Sequence, residues 1–167
     1  IMSHLNHGCD LAGNAIGPAL GLHIGCGADP SKVDVDKEIR RLELKVAAGA
    51  EYVMTQPVYD PRTVEQFLGR MKHLNVPVLI GILPLQSYRN AEFLHNEVPG
   101  ISVPEAIRAR MHEAGNEGQR VGVELARELL AECRTMANGV YLMPSFGRYE
   151  NCLEVLEGTL SAREVSR

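Results

Sequence analysis

The stretch AGAEYVMTQPVYD (residues 48–60) ends an apolar, strand-like segment in Thr55 and Gln56, and Pro57 then withholds the N–H that a further strand residue would supply. A side-chain amide in that place can donate and accept at once, which suits a ligand edge of mixed polarity, whereas an ionised carboxylate could only accept. The plain alternative is a glutamine that reaches solvent at a strand end. Glu38, Arg41 and Lys45 stand three and four residues apart, so on a helix they share one face. They form either a solvated charged stripe or one wall of a site. Arg148 follows Pro144-Ser145-Phe146-Gly147, where a held guanidinium can grip an acidic or carbonyl edge, or make a salt bridge flanking a helix. His4-x-x-His7-x-Cys9 brings three zinc-type ligands together, but a closed site needs a fourth and none stands nearby. The expectation there is a linker and no metal.

Elements that could position these residues follow from apolar periodicity. Residues 19–26, ALGLHIGC, are short and apolar, as a strand would be. From about Asp34 to Ala48 the pattern is helical, with Val35, Ile39, Leu42 and Val46 on one face and Gly49 as the stop. A strand over roughly 51–55 comes next, then Asp60-Pro61 as N-cap and first helical residue, with Val64, Phe67, Leu68 and Met71 as the buried face. Val76–Pro84 is almost wholly apolar, as expected of a strand covered on both sides in a parallel sheet. Helical stretches follow at 88–96, after a capping box at Ser102–Glu105, and over 117–136 with Val121, Leu125, Leu129 and Cys133 spaced by four. Gly139–Met143 is a last strand, and residues 149–157 a last helix through Leu153 and Leu156.

Strand and helix alternate four times, which predicts an α/β fold with a parallel sheet. No Gly-x-Gly-x-x-Gly follows a strand, so a dinucleotide-binding open sheet lacks its usual support. Three strands instead end in polar or turn chemistry, at Thr55-Gln56, Gly81–Pro84 and Pro144–Arg148, as the active-site face of a (β/α)8 TIM barrel would require. Only about four of the eight units are in this chain.

The 167 residues, 45% hydrophobic and 23% charged, belong to an ordinary globular domain. A net charge of −4 gives no reason to expect nucleic acid or an anionic membrane as partner. No apolar run approaches the ~18–20 residues of a membrane span, and no leader pattern is present, so the expected location is the cytoplasm. Cys9, Cys26, Cys133 and Cys152 are scattered and read as free thiols. The first residue is Ile1 and not methionine, which suggests a piece of something longer.

Several linked motifs resemble the methylenetetrahydrofolate reductases: DKEIRRLELKVAAGAEYVMTQPVYD (36–60) with its Lys-x-x-Ala-Gly-Ala and Thr-Gln, then IGILPLQSYRNAEFL (80–94), VPGISVP (98–104) and GVYLMPSFGRYE (139–150). The wording is most similar to the branch in which the reductase follows a homocysteine methyltransferase domain. The resemblance implies a TIM barrel binding FAD at its strand ends. It also implies NAD(P)H as reductant, reduction of 5,10-methylenetetrahydrofolate to 5-methyltetrahydrofolate in methionine synthesis, and these strands as the fifth to eighth. Residues 1–18 would be a linker or the end of a preceding helix, 19–157 the C-terminal half of the barrel, and 158–167 a tail. Gln56 matches the glutamine that contacts the pterin, and Asn90 and Arg148 match folate-contacting positions. Lys45 matches a lysine at the FAD phosphates, while Glu38 and Arg41 match positions on the adenosine side. Asp29 stands where many members have a cofactor-binding histidine, and Ala28 near their tyrosine, so the flavin-facing aromatic is absent. Tyr59 and Phe146 could be aromatic walls or core. The family's acid glutamate lies on an earlier strand, so no catalytic residue is expected here. The isolated chain would be inactive as a reductase, with open edges prone to pairing into a homo-oligomer. The alternatives are another TIM-barrel enzyme such as a lyase or aldolase, and a non-catalytic assembly fragment.

Overall fold

The computed structural model describes residues 1–157, and the stretch 158–167, expected as a tail, lies outside the described residues. Four strands, β1 (Gly25–Ala28), β2 (Tyr52–Pro57), β3 (Val78–Ile82) and β4 (Gly139–Leu142), form one parallel sheet in the order β1-β2-β3-β4. A short helix α1 (Met2–Leu5) precedes them. The crossovers carry α2 (Val35–Ala47), α3 (Pro61–Met71), then α4 (Tyr88–Glu97), α5 (Glu105–Glu113) and α6 (Gly118–Cys133), and α7 (Tyr149–Leu156) follows β4.

The helices begin where short polar side chains occupy free amides. Asp34 accepts from the Lys37 N–H at 2.9 Å, Asp60 from Arg62 at 2.9 Å, and Ser87 from Asn90 at 3.1 Å. Pro61 sits in the first turn of α3, where its missing N–H costs nothing.

One core joins the sheet to its helices. Val53, Val78, Ile80 and Ile82 meet Ile39 and Leu42 of α2, Phe67 of α3, Leu129 and Cys133 of α6, and Val155 of α7. Fully burying such side chains contributes about 1.5–3 kcal/mol each. The alternate strand residues, Tyr52, Met54, Leu79 and Tyr141, belong to the opposite face and remain half-buried. Doubly wound sheets place helices on both faces. Here α2, α3, α6 and α7 all pack on one face of strands in sequence order, which is the arrangement of half a (β/α)8 barrel. A second cluster, with Tyr59, Leu85, Leu94, Val103 and Met111, binds α4 and α5 onto α6.

Four local expectations need correction. The strand expected over 19–26 begins only at Gly25, because pairing with β2 starts at Gly25↔Tyr52 and Leu20 and Leu22 stay exposed. The strand expected over roughly 51–55 runs on to Pro57, where it ends, with a register shift against β3 between Met54 and Pro57. The capping box at Ser102 is not formed: Pro104 itself is the N-cap of α5 and no side chain caps it. In α7 the buried residues are Asn151 and Val155, while Leu153 faces outward.

Candidate functional site

The site is built at the carboxyl ends of the strands. As β1 ends, Asp29 turns inward and is buried; its Oδ1 accepts from the Ser31 N–H at 3.0 Å, and Lys32 stands 3.7 Å from its Oδ2. Burial holds the Asp29 carboxyl above its usual range, against the downward pull of the Ser31 amide and the Lys32 charge. Glu38 on α2 is also buried, and it has two partners. Its Oε1 accepts from the Asp29 N–H at 3.2 Å, and its Oε2 lies 3.7 Å from the Arg41 guanidinium. Glu38 therefore holds the β1–α2 turn while orienting Arg41. One turn further on, Lys45 donates to the Gly27 carbonyl at 2.5 Å, which fixes its ammonium beside the end of β1.

Gln56 is exposed at the end of β2 and lines the same cavity of about 280 Å³ as Asp29, Glu38, Arg41 and Lys45. An adjoining cavity of about 540 Å³ shares Asp29, Glu38 and Arg41 and adds Lys37. Five of the seven predicted site residues thus meet in one groove. Gly100, on the loop ahead of α5, completes it: with φ +88, a Cβ there would lie 2.9 Å from Asp29 Oδ2 and 3.8 Å from Gln56 Cγ. In the sequence Gly100 stands inside the VPGISVP motif, with nothing beside it to mark a role at the site.

The other two predicted residues meet in a second cluster, around Gln86. Asn90 accepts from the Gln86 N–H at 3.1 Å. Arg148 donates to Gln119 Oε1 at 2.6 Å and to Gln86 Oε1 at 3.4 Å. Asn151 closes the ring, donating to Gln86 at 3.1 Å and accepting from Gln119 at 2.8 Å. Among the described residues no carboxylate pairs with Arg148, so its charge remains available to a ligand. Gln86, Gln119 and Asn151 were missed by sequence reasoning. Gln86 carried the same signal as Gln56, an amide just past a strand, whereas Gln119 and Asn151 lie inside helical patterns that look unexceptional.

The aromatic candidates separate. Tyr59 is core, buried with its hydroxyl donating to the Leu83 carbonyl at 3.1 Å, whereas Phe146 is 80% exposed with φ 53 beside Arg148. At the amino-terminal end, His7 Nδ1 bonds the Ser3 carbonyl at 2.7 Å and Cys9 Sγ the His7 carbonyl at 3.5 Å. All four cysteines are free.

The profile of one family, methylenetetrahydrofolate reductase, matches residues 23–153. Methylenetetrahydrofolate reductase 1 of Schizosaccharomyces pombe is 29% identical over 109 residues, which cover 59% of this chain and 18% of that one. Methylenetetrahydrofolate reductase 2 of Saccharomyces cerevisiae is 27% identical over 124 residues, 70% of this chain and 20% of that one. The chain therefore spans about a fifth of the length of these curated relatives. A solved structure, an uncharacterized protein from Clostridium thermocellum that binds two copies of 5-methyl-5,6,7,8-tetrahydrofolic acid, matches with a TM-score of 0.64. The match covers 81% of this chain and 51% of that one, and at 21% identity it shows a shared fold. With the family profile matched over most of its length, and with strand-end residues gathered where that profile runs, the chain belongs to the methylenetetrahydrofolate reductase family.

Proposed function

We propose that this chain supplies the folate-facing and phosphate-holding part of a reductase that converts 5,10-methylenetetrahydrofolate into 5-methyltetrahydrofolate with FAD and NAD(P)H. The observation that carries the reading is that Lys45 and Gln56, on different elements, line one cavity at the strand ends.

The donor set suits the phosphate end of a dinucleotide. Lys32, Arg41 and Lys45 border the groove, and ammonium and guanidinium groups bind phosphate oxygens through strong charge-assisted bonds. Lys45 would hold the phosphates and Arg41, steadied by Glu38, the nucleoside side. When bound, FAD supplies the hydride transfer between nicotinamide and folate. The residues here bind and orient. The Gln56 amide donates to and accepts from the pterin edge, and Arg148 takes an acidic or carbonyl group of the folate tail, with Asn90 steadying Gln86 beside it. The proton donor of the family is not among these residues, so the isolated chain binds folate without turning it over.

Free thiols are in keeping with a reducing cytoplasm. The formal charge of −4 disfavours an anionic partner such as nucleic acid. Among the described residues β1 and β4 are the outer strands of the sheet, and their unpaired edges and the half-buried inner face suit further strands. Those strands would come from a longer polypeptide, with a homocysteine methyltransferase domain ahead of it, or from a second copy of the chain. Titrating the purified chain with 5-methyltetrahydrofolate tests the reading. Saturable binding that Gln56→Ala weakens about tenfold is expected, the loss of one or two hydrogen bonds. NADH should not be consumed when FAD and an acceptor are added. Unchanged affinity in Gln56→Ala sinks the pterin role.

A further inference from the structure

Tyr141 lies two strands away from Gln56, yet its side chain reaches the peptide that carries Gln56. From β4 its hydroxyl donates to the carbonyl oxygen of Thr55 on β2, crossing over Gly81 of β3. Only a residue without a side chain admits that crossing. A Cβ at Gly81 would stand 2.9 Å from the Tyr141 hydroxyl oxygen and 2.9 Å from the Thr55 carbonyl oxygen.

The crossing falls where the sheet departs from regular pairing. The register between β2 and β3 shifts between Met54 and Pro57. At that place the Gly81 N–H is taken by the Thr55 side-chain Oγ1, at 3.0 Å, and the Val58 N–H by the Gly81 carbonyl, at 3.2 Å. Thr55 is buried and Gln56, next to it, is exposed. The Thr55 carbonyl and the Gln56 N–H belong to one planar unit, so fixing that oxygen fixes the plane from which the Gln56 side chain departs. Thr55 is paired with Ala28 of β1 and is further held from β3 at its hydroxyl and from β4 at its carbonyl, the last by a side chain that reaches across a strand.

We propose that Tyr141 is a positioning residue for Gln56, aiming its amide by holding the Thr55–Gln56 peptide at the β2 irregularity. The inference rests on the reading of Gln56 as a folate contact. It also links the two clusters, because the strand that carries Tyr141 leads directly into Arg148.

A double-mutant cycle tests it, with 5-methyltetrahydrofolate as the probe and Tyr141→Phe, Gln56→Ala and the double variant compared with the unaltered chain. Tyr141→Phe removes one hydroxyl and keeps the ring, so affinity should fall between about two- and tenfold, the range of one hydrogen bond. In the Gln56→Ala background the same change should have no further effect. Equal loss in both backgrounds, or no loss in either, overturns the proposal. If Gln56→Ala alone changes nothing while Tyr141→Phe weakens binding, both the pterin reading and the proposal fail. A ligand-free measurement covers a chain too weak to titrate. Amide exchange in Tyr141→Phe should quicken at Gly81 and Val58 and stay unchanged at Val53. Unaltered protection at Gly81 and Val58 overturns the proposal, as does a uniform rise across β2 and β3.

Discussion

The two clusters at the strand ends solve the same task, holding polar side chains ready in a partly open groove, with opposite chemistry. Around β1 and α2 the cations come with carboxylates: Lys32 with Asp29, and Arg41 with Glu38. Around β4 and α7 a guanidinium is held by neutral amides, Gln86 and Gln119, which are themselves joined through Asn151. A carboxylate orients a cation strongly but also cancels much of its field, while an amide orients it and leaves the charge intact. The first arrangement suits a ligand that brings several negative charges and meets several cations. The second suits a ligand that offers one anionic or carbonyl group and must find full charge in one place.

The largest effect should come from removing that charge. Arg148→Ala should weaken 5-methyltetrahydrofolate binding by roughly tenfold to a hundredfold, the range of a hydrogen bond to a charged group. Arg148→Lys should recover little of it, since Gln86 and Gln119 hold one guanidinium nitrogen, Nη1, and leave the other planar donors to the ligand, which an ammonium on a flexible stem lacks. Recovery by lysine to near the original affinity would show that charge alone matters and that the amide ring has no orienting role.

A smaller change makes the second cluster resemble the first. Gln119→Glu keeps size and shape but sets a carboxylate 2.6 Å from Arg148, in place of the amide oxygen, and gives up the donor to Asn151. Folate affinity should fall about three- to fivefold at low salt, in line with a partly exposed ion pair, and the deficit should shrink as salt is added. Unchanged affinity would mean that the carboxylate-free surroundings of Arg148 are incidental.

How much of this was legible in the sequence depends on the range of the interactions involved. The α/β alternation, the helix cap at Asp60 and the apolar faces of α2, α3 and α6 follow from local pattern, and the structure has them. Gln56 was visible because a strand end and a proline frame it. The barrel was expected from the polar strand ends and the family resemblance, and the helices covering one face of the sheet agree with it. The corrections have a tertiary origin. Residues 19–24 are apolar enough for a strand but have no neighbour in register. Pro57 stays in β2 because the residue after it, Val58, donates to the Gly81 carbonyl beyond the register shift. Leu153 continues an apolar pattern, yet Asn151, bonded to Gln86 and Gln119, is the residue turned inward. Amide networks assembled from residues 65 and 32 apart leave no periodic trace.

The smallest effect should come from moving the first cluster toward the second. Asp29→Asn removes a negative charge from the cationic groove while keeping an oxygen that can accept from the Ser31 amide. FAD, titrated by the quenching of its fluorescence, should bind about two- to threefold more tightly to the variant at pH 7, since one partly screened charge contact is worth under about 1 kcal/mol. The pH dependence gives the sharper test. Burial raises the Asp29 carboxyl in the folded chain above its ordinary value of 3.8. Its contribution to stability is therefore fully present below 3.8 and is lost as pH rises through the raised folded value. The side-chain amide that Asp29→Asn introduces cannot ionise, so the variant should melt higher than the unaltered chain at neutral pH, and the difference should close as pH falls toward about 4. The FAD advantage should close over the same window, because the native carboxyl takes up its proton there and stops repelling phosphate. An advantage that persisted undiminished to that pH would show that Asp29 acts through its hydrogen bonds and not through its charge.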